Sequence, residues 1–176
     1  GEVKDLGLIT INESKAKDFI LKNQGLIDAV AKRVTGLERE ADGTLDVYSA
    51  DNLEKILSYK GVLVANNQDN LTSIDELQYY RNVTGVAFTN NKNLAGKLDF
   101  SKYPQLIDRI TVLRSPQVTS IDVTGLDKLT QFTATYLDNL TEVTVKGNSK
   151  LETISVHHNA KLQGLDASNL PELKRI

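Results

Sequence analysis

The chain has 176 residues, 40% of them apolar, 25% charged and 6% aromatic, and its formal net charge is −2. That supplies an adequate core without covalent staples, and the scattered lysines and arginines argue against nucleic acid as a partner. Cysteine is absent, which removes disulfides, cysteine nucleophiles and thiolate metal sites together. Trp is absent too, which argues against a sugar-stacking platform, and no apolar run approaches membrane-spanning length.

In chain order, residues 1–43 differ in composition from the rest. Asn12 and Ser14 are N-cap candidates, and Leu26, Ile27, Val30, Ala31 and Val34 have helical spacing between Gly25 and Gly36. Residues 12–35 are therefore predicted to form helices within an N-terminal cap, 1–43, covering the first coil of a repeat array. The chain opens on Gly rather than Met and carries no signal peptide, which reads as a chain trimmed of an export signal or lipid anchor. From Glu38 through Glu40, Asp42, Gly43 and Leu45 to Ser49 the pattern resembles an EF-hand loop. Glu38 and Ser49 stand where Asp and a bidentate Glu are wanted, so a plain turn into the first strand is expected and no metal.

From residue 44 to 176 the chain is periodic. Leu129, Leu140, Leu151, Leu162 and Leu173 stand 11 residues apart, and the first four open one phrase, as in Leu140-x-x-Val143-x-Val145. The phrase extends upstream through Val118, Leu106, Leu94 and Val83 to Leu45, with single-residue slips. It fits badly across an insertion at 54–61 and after Ile74, where Glu76 fills an apolar slot. Two apolar residues separated by one is strand periodicity, and a fixed period means a solenoid in which each coil packs on its neighbours. The intervening residue differs between alternate units. It is Asp46, Asp75, Asp99, Asp122, Thr144 and Asp166 in one set, and Leu63, Ala87, Thr111, Thr133 and Ser155 in the other. The true coil is therefore about 22 residues with two short strands on two faces, one acidic and one neutral. Ser101, Thr124 and Ser168, two residues beyond Asp99, Asp122 and Asp166, can satisfy the acidic row.

The units 140–148 and 151–159 resemble leucine-rich repeats, and the nesting of two 11-residue units resembles the short repeats of bacterial secreted and surface proteins. The resemblance covers about residues 45–176. The asparagine that such repeats place after the strand matches at Asn67, Asn91, Asn148 and Asn159, whereas Tyr103, Leu126, Leu137 and Leu170 fill other units. The fold class expected is α+β, mainly β: a leucine-rich-repeat solenoid with a helical N-terminal cap. The resemblance implies a protein-binding or adhesive role at the bacterial envelope, on the cell surface or secreted, and names no ligand.

The neutral face is the expected contact surface, because small side chains let a partner approach and cost little to desolvate. Its outward residues are Arg109, Thr111, Leu113, Gln131, Thr133, Thr135, Thr153, Ser155 and His157, with Arg109 and Leu113 as anchors. His157 and His158 are the only histidines and point apart on a continuing strand, so they read as solvated turn residues rather than metal ligands. Sequons at Asn12, Asn70, Asn82 and Asn139 stem mostly from the repeat. No catalytic motif or cofactor loop is recognisable, so a non-enzymatic module without a cofactor is expected. Two alternatives stay open. One is a spacer associating through the unfinished coil at Leu173-x-x-Ile176, which is either closed by a partner or cut short. The other is an enzyme using an unrecognised carboxylate pair.

Overall fold

The computed structural model describes residues 3–5, 10–12 and 19–168. Val3–Asp5 (β1) pairs antiparallel with Thr10–Asn12 (β2), and Ile20–Leu21 (β3) pairs antiparallel with Leu45–Asp46 (β4). One helix near the N-terminus, α1, spans Gln24–Ala31. Asn23 caps it: its side chain accepts from Leu26 N at 3.2 Å, while Nδ2 donates to Ser73 O at 3.1 Å and Asp75 O at 2.8 Å. Gly25 permits the helix to dock, since a Cβ there would lie 2.5 Å from Leu71 Cα. The helix is thus shorter than the 12–35 expected: Asn12 lies in β2, Ile20 in β3, and residues 13–18 fall outside the described set. Pairing with β4 takes the backbone hydrogen bonds of 20–21 before a helix can use them.

The remaining strands run in two parallel sheets. Gly61–Asn66 (β5), Val83–Thr89 (β6), Arg109–Leu113 (β8), Gln131–Thr135 (β10) and Thr153–Ser155 (β12) form the first, in the order β12-β10-β8-β6-β5. Ala95–Asp99 (β7), Gln117–Asp122 (β9), Glu142–Lys146 (β11) and Asp166–Ser168 (β13) form the second, in the order β13-β11-β9-β7. From β6 onward the chain alternates between sheets, making a parallel β-solenoid of about five coils of about 22 residues. Late pairs such as Phe132↔Ile154 and Thr144↔Asp166 show that step.

The inward residues of both sheets and the leading residues join one core. Leu94, Leu106, Val118, Leu129, Leu140 and Leu151 are each at most 1% exposed, as are Val86, Ile110, Phe132 and Ile154. The irregular stretches have local causes. The insertion at 54–61 accommodates most of a second short helix, α2 (Asn52–Leu57), which buries Leu53 and Ile56. After Ile74 no strand forms. Glu76 adopts φ 75°, leads into a 3₁₀ turn at Leu77–Tyr79, and accepts the amides of Lys22 and Asn23 on Oε1 at 2.7 and 2.6 Å. The misplaced carboxylate therefore ties the N-terminal segment to the coils. Leu63, expected outward, is fully buried, and Val64 is the residue facing out. A register shift at Gly61/Val62 moves β5 by one residue, which exchanges its faces.

The corners after the strands carry buried polar side chains. Along the first sheet the column is Gln68, Asn91, Ser115, Leu137 and Asn159, of which Gln68, Asn91 and Ser115 are the buried polar members. Gln68 N donates to Asn91 Oδ1 at 2.9 Å, Asn91 N to Ser115 Oγ at 3.2 Å, and Leu137 N to Asn159 Oδ1 at 2.9 Å. Asn67, the residue expected there, is exposed at φ 56°, and Gln68 takes its place. Along the second sheet Asn148 Nδ2 reaches Val123 O at 2.8 Å and Leu126 O at 3.1 Å. No helix among the described residues is long and apolar enough to cross a membrane. The phrase at 173–176 lies outside those residues.

Candidate interaction surface

The parallel register of β8, β10 and β12 aligns the expected face into rows. Arg109, Gln131 and Thr153 form one row and Thr111, Thr133 and Ser155 the next; Thr89, Leu113 and Thr135 form a third. Adjacent strands stand roughly 4.8 Å apart, so each row is a line of side chains at that spacing. Arg109 and Gln131 are exposed, while Thr111, Leu113, Thr133, Thr153 and Ser155 are half-buried. Thr135 is only 8% exposed, so it backs the surface rather than forming part of it. His157 is exposed, with Nε2 at 2.6 Å from Ser155 Oγ. The nine residues thus come together on one sheet and its rim.

Two features were not foreseen. Among the described residues the large hydrophobic side chains left exposed are Val64 (45%), Ile107 (36%) and Tyr136 (42%). Val64 lies on β5, Ile107 two residues before β8, and Tyr136 directly after β10, so all three belong to the first sheet or its rim.

The second feature is a column of left-handed corner residues. Asn67 (φ 56°), Asn90 (φ 56°), Arg114 (φ 50°), Tyr136 (φ 57°) and His158 (φ 60°) each come after a strand of the first sheet. At the corresponding corner of the second sheet the same conformation is met by Gly125 and Gly147. A left-handed backbone costs an L-residue such as Arg or Tyr about 1–2 kcal/mol, whereas Asn tolerates it better. The side chains of the column stack along the solenoid. Asn90 Nδ2 donates to Asn67 Oδ1, Arg114 Cζ lies 4.2 Å from the Tyr136 ring centroid, and Tyr136 stacks on His158 at 4.6 Å with 6° between planes. The result is a cation-aromatic ridge along one border of a hydroxyl-lined sheet. A signal for it exists in the sequence, since 114, 136 and 158 recur at 22 residues, but hydrophobic periodicity does not single out polar corners.

The acidic face is internally satisfied. Asp99 Oδ1 accepts Ser101 N at 3.1 Å and also the Ser101 hydroxyl; Asp122 Oδ1 accepts Thr124 N at 2.8 Å. Lys97 pairs with Asp122 at 3.8 Å and Lys146 with Asp166 at 3.1 Å. In the loop resembling an EF-hand, Asp42 accepts the Thr44 amide and hydroxyl at 3.0 and 2.6 Å, and the hydroxyl bond is the main reason its carboxyl is held below the usual range. Gly43 N closes onto Glu40 O at 2.9 Å, so the loop is a tight turn. The histidine rings tilt 58° apart with centroids 5.6 Å from one another.

Comparison with protein-family models, with curated proteins and with solved structures yields no match, so the solenoid fold and its surface stand on the chain's own geometry.

Proposed function

We propose that the chain is a non-enzymatic protein-binding or adhesion module whose contact surface is the outer face of the first sheet. The observation that carries this reading is that Val64, Ile107 and Tyr136, the large hydrophobic side chains left exposed among the described residues, all belong to that sheet or its rim. Apolar and aromatic side chains set singly among polar rows can serve as anchors for a protein partner. A sheet whose corners are hydrogen-bonded coil to coil is pre-organised, so little conformational entropy is lost on binding. Arg109 and Leu113 serve as anchors within the rows, and the Arg114–Tyr136 pair extends them with two residue types over-represented at binding hot spots.

The repeat phrase and the partial asparagine ladder support a kinship with leucine-rich repeats. That kinship in turn supports a bacterial protein exported to the cell surface or secreted, as a lipoprotein or free.

The test is chemical cross-linking of the purified chain to its partners in a native extract. The wild type is compared with the double variant Arg109→Ala/Tyr136→Gly and with a control, Lys97→Ala, on the second sheet. Partners lost in the first variant and kept in the control support the assignment. Identical capture by all three would sink it.

A further inference from the structure

A cavity of about 450 Å³ opens where the chain leaves α1 and again where it leaves α2. None of its lining residues belongs to the outer face of the first sheet. Arg33, Lys55 and Lys60 line it together with Thr35, Ser58 and Tyr59, and no acidic side chain does. In a chain of net charge −2 this is a concentrated positive site. Among the described residues none of the three cations is in an ion pair.

Two of the cations, Arg33 and Lys55, are held in place without being neutralised, and Lys60 is exposed beside them. Arg33 Cζ lies 4.8 Å from the centroid of the Tyr59 ring. That ring is 3% exposed, and its hydroxyl donates to Val62 O at 2.8 Å, so the platform under the guanidinium is rigid. Stacking occupies the guanidinium face and leaves its N–H groups free in the plane. Lys55 Nζ donates to Gly36 O at 2.8 Å, which fixes the ammonium while leaving two of its hydrogens. Gly36 sits at φ 86°, and a side chain there would meet Lys55 Nζ at 3.2 Å.

Compensation of helix ends does not account for three cations. Each helix C-terminus carries at most about −0.5 charge, and these helices are short. Some of the carbonyls are already taken: Leu57 O by Asn82 Nδ2 at 2.7 Å and Lys55 O by the Ser58 hydroxyl at 2.6 Å. A surplus of roughly two positive charges remains.

We propose that this cavity binds a tetrahedral oxyanion carrying two charges, a phosphate or sulfate group, either free or as the head of a small ester. A guanidinium fork and two ammonium groups match the oxygens of such a group, and a single carboxylate would leave the surplus uncompensated. The volume falls within the range of small-molecule sites, so an ester has room for its body.

The test is titration of the isotopically labelled protein, monitored by NMR at the Arg33 Nε–Hε and at backbone amides 33–36 and 58–60. The probes are sodium phosphate, sodium sulfate and glycerol 3-phosphate, each against sodium chloride at matched ionic strength. Saturable shifts with any of the three oxyanions, weakened at least about tenfold in Arg33→Gln and in Lys60→Gln and unchanged in Lys97→Gln, are expected. Saturation by glycerol 3-phosphate alone assigns an esterified ligand, and equal saturation by phosphate or sulfate assigns the free ion. Shifts reproduced by chloride, or unaltered in both cavity variants, overturn the proposal. Both variants change exposed side chains, and each one's reference spectrum verifies its fold.

Discussion

Arg114 and Tyr136 occupy backbone positions that glycine would fill at lower energy, as Gly125 and Gly147 do across the solenoid. The contact they make is worth about 0.5–1 kcal/mol at an exposed site, comparable to or smaller than the conformational cost of either residue. Arg114→Gly is therefore expected to leave the urea midpoint unchanged or to raise stability by up to about 1 kcal/mol while weakening partner capture. A loss of stability above about 1 kcal/mol in equilibrium unfolding would instead mark the ridge as a structural stack. Buried Asn91 has the opposite character. It accepts Gln68 N and donates to Ala65 O, both at 2.9 Å, at zero exposure. Asn91→Ala leaves the buried Gln68 amide without its acceptor and removes one donor from Ala65 O, and is expected to cost about 1–3 kcal/mol, read from urea unfolding.

At the scale of elements, α1 and β3 attach to the solenoid through the loop containing Glu76. One carboxylate oxygen accepts two backbone amides, and Asn23 spans from the α1 cap to Ser73 and Asp75. Charge-assisted bonds of this kind are worth about 1.5–3 kcal/mol each. Glu76→Ala should therefore speed hydrogen exchange at Lys22, Asn23 and the amides of α1, and leave β10 and β11 at wild-type rates, because coils feel only their neighbours. Uniform acceleration across all strands would contradict that locality. The edge of β5 is treated differently. Tyr59 places its hydroxyl against Val62 O at 2.8 Å, with Val64 N 3.4 Å away, so backbone groups at the start of the sheet are satisfied by a side chain.

For the whole molecule the continuous core couples stability to alkaline pH. Tyr103 is 5% exposed and donates to Ile74 O at 3.1 Å. Burial first, then the charges of Asp75 and Asp99, push its hydroxyl up to about 12, and burial pushes Tyr80 up as well, with Glu76 adding to it. Raised values mean that the folded state holds these protons after the unfolded chain has begun to lose them. Their contribution is complete below pH about 10 and is lost as pH climbs towards 12. Urea midpoints measured between pH about 8 and 12 should fall across that window, and Tyr103→Phe should flatten the fall while costing about 1 kcal/mol at pH about 8. A midpoint independent of pH up to 12 in the wild type would contradict the coupling.

The solenoid, its coil length and its two unlike faces were legible in the sequence, because the core of a stacked fold repeats every apolar contact at the same interval. Leu94, Leu106, Leu129, Leu140 and Leu151 announce themselves by spacing, and so do the aspartates of the second sheet. Which residues share the outer side of β8, β10 and β12 was legible for the same reason, since alternation along a strand assigns sides. Tertiary structure decided what periodicity does not encode. The phase of β5 depends on a register shift against β6, which turned Leu63 inward and Val64 outward. The length of α1 depends on β3 having found β4 as its partner. Glu76, an error in the pattern, became an acceptor for amides 53 and 54 residues away. The ridge of Arg114, Tyr136 and His158 and the cation cavity at Arg33, Lys55 and Lys60 join residues that are polar and distant in the chain. Local hydrophobic pattern carries no information about such contacts; only stacking and docking of the coils bring them together.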